Sequence, residues 1–115
     1  MAITKSRVYT ALASAARTAS GNSGAIGVVE NFDELLVVLS VTAASASDTL
    51  DIAYQVSPDG GTTWVTHTAF SQVATTGESL LKLENVGTLG RIAYTIGGSD
   101  PNFTFAVWLV GKRRG

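Results

Sequence analysis

Catalysis and metal binding need side chains that ionise near neutrality, attack an electrophile or ligate a cation, and this chain has few. His67 is the single histidine, and there is no cysteine. One histidine without thiolates does not make a zinc site, and no carboxylate stands at a spacing that would complete one. His67 alternates with Val65 and Ala69, the pattern of an ordinary surface or interface side chain on a strand. Serines and aspartates are plentiful, but no Gly-x-Ser-x-Gly turn is present to expose a nucleophile. Carboxylates gather at Glu30, Asp33 and Glu34 and stand singly at Asp48, Asp59 and Asp100. Calcium takes about six to eight oxygens, and no Asp-x-Asp-x-Asp loop supplies them. The stretch from Gly97 to Asn102 is glycine-rich, yet it lacks the lysine and helix start of a phosphate loop. The residues therefore predict no catalytic, cofactor-binding or metal site, and a protein that works by binding or assembling.

Position along the chain is set by alternation at period two, the mark of half-buried strands. In Glu34 to Thr42, Leu35, Val37, Leu39 and Val41 face one way, while Leu36, Val38, Ser40 and Thr42 face the other. Thr49 to Ser57 sets Leu50, Ile52, Tyr54 and Val56 against Asp51, Ala53, Gln55 and Ser57. Further strands are predicted at Thr63 to Phe70, Ser79 to Leu83, Gly90 to Ile96 and Asn102 to Gly111. The last carries Phe103, Phe105, Val107 and Leu109 on one side and Ala106, Trp108 and Val110 on the other. Two weaker strands are expected at Ser6 to Ala13 and Ala25 to Glu30. Ala15 to Gly24, small and polar, reads as a mobile loop or arm, and Leu12 to Thr18 allows a helical turn without a clean apolar stripe. About seven to eight short strands with frequent turns and no crossover helix predict an antiparallel β-sandwich, jelly-roll-like. Its expected core is Leu35, Val37, Leu39, Val41, Ile52, Tyr54, Trp64, Ile92, Tyr94, Phe103, Phe105 and Val107.

The most specific motif is Ser57-Pro58-Asp59-Gly60-Gly61-Thr62-Thr63-Trp64. A short Asp side chain accepts hydrogen bonds from its own turn, and glycines supply positive φ without steric cost. Its five positions Ser57, Asp59, Gly61, Thr63 and Trp64 resemble the Asp-box of sialidase and other β-hairpins. That resemblance implies a structural turn, since a sialidase propeller needs several boxes and this chain has one.

More broadly, Asp51 to Val56, the box, and Val65 to Phe70 resemble a segment of small tailed-bacteriophage structural proteins, and the strand from Phe103 to Arg114 with its basic end is similar in style. The resemblance spans roughly Leu35 to Arg114 and implies a virion component assembled in the host cytoplasm. It implies a capsid decoration (cement) protein that binds the major capsid protein in many copies, as a homo-oligomer with a trimer favoured. A neck or tail accessory role, and a carbohydrate-binding or adhesion module using Tyr9, Phe32, Phe70 and Trp108, are the alternative readings.

Composition bears on the same question. The chain has 115 residues, one domain's worth, and 45% are hydrophobic. Only 15% are charged, below the roughly 25% of an average soluble domain, so much of the surface is neutral and suited to close packing. A net charge of −1 argues against non-specific nucleic-acid binding, which needs a basic face. No run of about 18 apolar residues exists to span a membrane. Lys5 and Arg7 followed by Val8 to Ala16 resemble a signal peptide only superficially, because Tyr9, Thr10 and Ser14 interrupt the apolar stretch. Residues 1–7 read as a candidate N-terminal arm and 112–115 as a short basic tail. Lys5, Arg7, Trp108, Lys112, Arg113 and Arg114 are the candidate partner contacts.

Overall fold

Two strands of this chain are apolar on both faces, and a strand of that kind is stable only with neighbours on both edges and cover on at least one face. The computed structural model, which describes the backbone of residues 4–114 and the side chains of residues 6–113, places both in the middle of one sheet. The strands are β1 (Thr4–Arg17), β2 (Gly21–Asn22), β3 (Glu34–Ala44), β4 (Thr49–Val56), β5 (Val65–Ala69), β6 (Gly77–Glu84), β7 (Gly90–Gly97) and β8 (Phe103–Arg114). One sheet has the order β1-β8-β3-β6 and the other β2-β7-β4-β5, with every pairing antiparallel. Strand β1 pairs with β8, β2 with β7, β3 with β6 and β4 with β5. This is one long hairpin rolled upon itself, the jelly-roll connectivity expected from the sequence.

The core is the space between the sheets. Leu35, Val37, Leu39 and Val41 of β3 and Phe103, Phe105, Val107 and Leu109 of β8 meet Leu50, Ile52 and Tyr54 of β4 and Ile92 of β7. Leu12, Ile26, Val29, Phe70, Leu83 and Val86 complete it. Of the expected core, Trp64 and Tyr94 are only half-buried. Tyr94 stands edge-on to Phe105 at 5.3 Å between ring centroids, and the Arg17 guanidinium sits 4.6 Å from the Phe105 centroid. Arg17 also donates to the Phe105 carbonyl at 2.8 Å and the Ala13 carbonyl at 2.8 Å, closing that end of the sandwich.

Three expectations are corrected. Ala25 to Glu30 is not a strand: Gly27–Asn31 is a 3-10 turn, with Ile26 and Val29 buried. Apolar residues three apart suit a helical turn, whose side chains repeat every three residues, and not a pleat. The small residues from Ala15 to Arg17 belong to β1, held by pairing with Phe103 to Phe105 despite their weak strand propensity. Register shifts between Thr10 and Leu12 and between Leu12 and Ala15 bend the strand there. Finally, from Thr4 onward the candidate arm is paired strand: Thr4 to Arg7 lie opposite Gly111 to Arg114, so the basic tail is the end of β8. Residues 1–3 and Gly115 lie outside the described residues.

Tyr54 ties the β4 end of the core to the 84–90 connection. Its ring is fully buried and its hydroxyl donates to the Val86 carbonyl at 2.7 Å. Burial raises its pKa well above the ordinary tyrosine value. Tyr54→Phe leaves the Val86 carbonyl without that donor and should cost about 1–3 kcal/mol in urea unfolding. Because the folded group holds its proton more tightly than the unfolded one, wild-type stability should be whole below pH of about 10 and decline above it, and Tyr54→Phe should remove that part of the alkaline loss.

Candidate functional site

The 57–64 turn joins β4 to β5 and is built from the inside out. Ser57 is buried; its hydroxyl donates to Asp59 Oδ1 at 3.0 Å and accepts from the Gly61 N–H at 2.8 Å. The same Asp59 oxygen accepts from the Thr63 N–H at 2.7 Å. Gly60 and Gly61 have φ of 77° and 104°, a region other residues avoid, so these two positions require glycine. Trp64 folds back and donates from Nε1 to the Gly61 carbonyl at 3.1 Å. The Arg91 guanidinium lies 4.5 Å over its ring and donates to Gln55 Oε1 at 2.8 Å. The polar side-chain atoms of Ser57, Asp59 and Trp64 are thus bonded within their own turn. The backbone N–H of Thr63 holds the Asp59 carboxyl below its usual range, with the Thr63 and Ser57 side chains assisting.

His67 is exposed, with Nδ1 2.8 Å from the Thr68 hydroxyl and Nε2 2.9 Å from the Glu84 carbonyl. Both ring nitrogens have partners, and among the described residues no second ionisable side chain hydrogen-bonds to it. Among the described residues no group of three or more His, Asp or Glu side chains gathers as a metal site would require.

Two surfaces remain. The first is the outer face of the β1-β8-β3-β6 sheet, whose registers set side chains in rows. Val8, Val110, Leu36 and Lys82 form one row, and Thr10, Trp108, Val38 and Leu80 the next. Val8 is 65% and Leu80 55% exposed, and Leu36, Val38, Trp108 and Val110 are half-buried only by one another and their strand neighbours. Ser6, Lys112, Glu34 and Glu84 border this patch on one side, and Ser40 and Glu78 on the other. With strands about 4.8 Å apart and same-face residues about 6.8 Å apart, its six apolar residues cover on the order of 200 Å². That is about a quarter of one side of a standard stable interface.

The second surface is the basic end. Register places Lys5 opposite Arg113, Ser6 opposite Lys112 and Arg7 opposite Gly111. The cations predicted at the two chain ends are therefore gathered in one place. The side chains of Lys5 and Arg114 lie outside the described residues. A cleft of about 550 Å³ opens here, lined by Ser6, Arg7, Val28, Asn31, Phe32 and Arg113. Phe32 seats on Gly111, where any Cβ would overlap its ring. Trp108 lies on the apolar face, away from this cleft. Sequence reasoning named Phe32 only for a sugar platform and missed its place on this cleft and the apolar rows, because pairing of strands distant in sequence creates them.

The aromatics proposed for a sugar platform do not form one. Phe70 is buried, Phe32 is half-buried against Gly111, and Tyr9 and Trp108 point to opposite faces of their sheet.

No protein-family model matches the chain, and no curated protein matches it. A solved structure does. It is the crystal structure of YomS, a protein derived from the SPBc2 prophage. The likeness has a TM-score of 0.57 and covers 95% of this chain and 96% of that one, at 15% identity. The two chains share a fold from end to end.

Asp59 supplies a test of the turn. Unfolded, its carboxyl titrates at about 4; folded, it titrates lower, so its contribution is present above pH of about 4 and is lost as pH falls through the folded value. Asp59→Asn keeps the shape without the titration. Thermal midpoints measured across acidic pH should fall more steeply for the wild type than for the variant.

Proposed function

We propose that this chain is a non-enzymatic structural protein of a phage particle, a head decoration protein that sits on the assembled shell in many copies and stabilises it. The observation that carries this reading is the fold shared along nearly the whole chain with a prophage-derived protein, on a chain whose polar motifs are consumed by its own turns. The apolar rows of Val8, Leu36, Val38, Leu80, Trp108 and Val110 are the surface we assign to the shell, with the major capsid protein as partner. Their modest area argues for many weak attachments over one strong dimer. A decoration protein works in that regime: each copy that touches two neighbouring shell subunits makes their separation require loss of its own contacts, and effective concentration turns modest affinity into lasting attachment. A trimer centred on a threefold position of the lattice satisfies the same geometry.

The test is co-sedimentation of purified protein with shells stripped of it. Wild type should pellet with the shells to saturation and raise their melting temperature. Leu80→Glu and Val8→Glu place charges on positions already open to solvent, so the free protein should keep its own unfolding midpoint. Each should weaken shell binding by more than about tenfold, the loss expected when one large apolar side chain no longer buries. Wild-type protein that fails to pellet, or variants that pellet as well as wild type, would contradict the assignment. Binding to isolated tails and not to shells would move the protein to the neck or tail.

A further inference from the structure

We propose that the cleft between β1, β8 and the 27–32 segment receives an acidic, extended segment of a partner protein, and that Arg7 and Arg113 grip its carboxylates. This goes beyond attachment through the apolar rows, lies on the opposite face of the sheet's end, and does not depend on what particle the protein joins.

Charge is the first argument. Five of the chain's eight lysines and arginines, Lys5, Arg7, Lys112, Arg113 and Arg114, lie on the paired ends of β1 and β8. A neighbouring cleft of about 620 Å³ sets Glu34 and Glu84 against Lys82 and Lys112, so its charges balance. Among the described residues, no carboxylate lines the cleft of Arg7 and Arg113. Among the described residues, neither guanidinium has an ion pair or hydrogen bond. A guanidinium offers five donors in a fixed fork suited to a carboxylate, so two unfilled forks on one cleft make an acceptor for acids.

Spacing is the second argument. Arg7 lies opposite Gly111, and Arg113 is two residues further along β8 on the same face. Diagonal neighbours of this kind lie about 7–8 Å apart, their Cβ atoms somewhat closer. In an extended chain, same-face side chains repeat every 6.8 Å or so. Acidic residues separated by one residue therefore match the two arginines. The ring of Phe32 and the side chain of Val28 give the cleft an apolar floor.

The edge is the third. Strand β1 pairs only with β8, so along Ser6 to Thr10 one side of its backbone has no strand beside it. An extended segment adds to such an edge through main-chain hydrogen bonds, and its alternate side chains then fall beside Arg7. Nucleic acid fits less well, because the chain's net charge is −1 and backbone phosphates call for a broad basic face.

The experiment is fluorescence anisotropy with a short fluorescein-labelled peptide of alternating Glu and Val, against a peptide of alternating Lys and Val and a labelled single-stranded oligonucleotide. The Glu peptide should bind, the Lys peptide should not, and Arg7→Glu and Arg113→Glu should each weaken binding by about tenfold or more. Arg7→Gln and Arg113→Gln, which only remove charge, should give intermediate losses, and thermal unfolding should show all four variants folded. Tighter binding of the oligonucleotide would overturn the proposal in favour of nucleic acid. Equal binding of the two peptides, no binding of the Glu peptide, or wild-type affinity in the Glu variants would also overturn it. None of these outcomes bears on sedimentation with shells, so the two readings fail separately.

Discussion

The register of β8 between β1 and β3 is the constraint on which the rest of this structure depends. Side chains alternate across a strand, so one register choice decides every face at once, and a slip by one residue would exchange them. As observed, Phe103, Phe105, Val107 and Leu109 point into the sandwich and Trp108 and Val110 point out. The same register carries Lys112 to Arg114 alongside Thr4 to Ser6 and puts Gly111 under Phe32. Core, apolar outer rows and basic cleft are three consequences of one pairing. Bending at the two register shifts of β1 then lets the strand continue to Arg17, whose guanidinium closes the far end over Phe105.

How much of this was legible depended on whether the signal was local. Alternation in β3, β4, β7 and β8 is a property of consecutive residues, and those strands were placed within a few positions of their observed bounds. The 57–64 turn was legible for the same reason: its hydrogen bonds run between residues two to four apart. Trp64 was misjudged because an aromatic residue folding over a turn and one in a core have the same local pattern. The 3-10 turn holding Ile26 and Val29 was read as a strand because a short apolar run does not reveal its period. Both ends of the chain were read as loose, since nothing in Lys5 to Arg7 announces a partner about a hundred residues away. The candidate site lay at that limit: its cations were named from sequence, but their assembly around Phe32 comes only from pairing distant strands.

Together these features describe a protein whose surface matters more than any single residue. Among the described residues its buried polar side chains are hydrogen-bonded within the chain, and its outer sheet face keeps apolar area facing water. Such a face gains free energy by being covered, yet it is small enough that one contact is reversible. On the decoration reading proposed above, reversible contacts made in large numbers on a repeating lattice would add up to a cooperative coat. The jelly roll would suit that role because its sheet presents the same rows in every copy.

The most direct measurement is the copy number of this chain, by quantitative mass spectrometry, in particles purified from the culture that produces it, relative to the main shell protein. A decoration protein predicts a near-stoichiometric ratio, fixed from one preparation to the next. Its complete absence from particles would contradict the virion reading altogether.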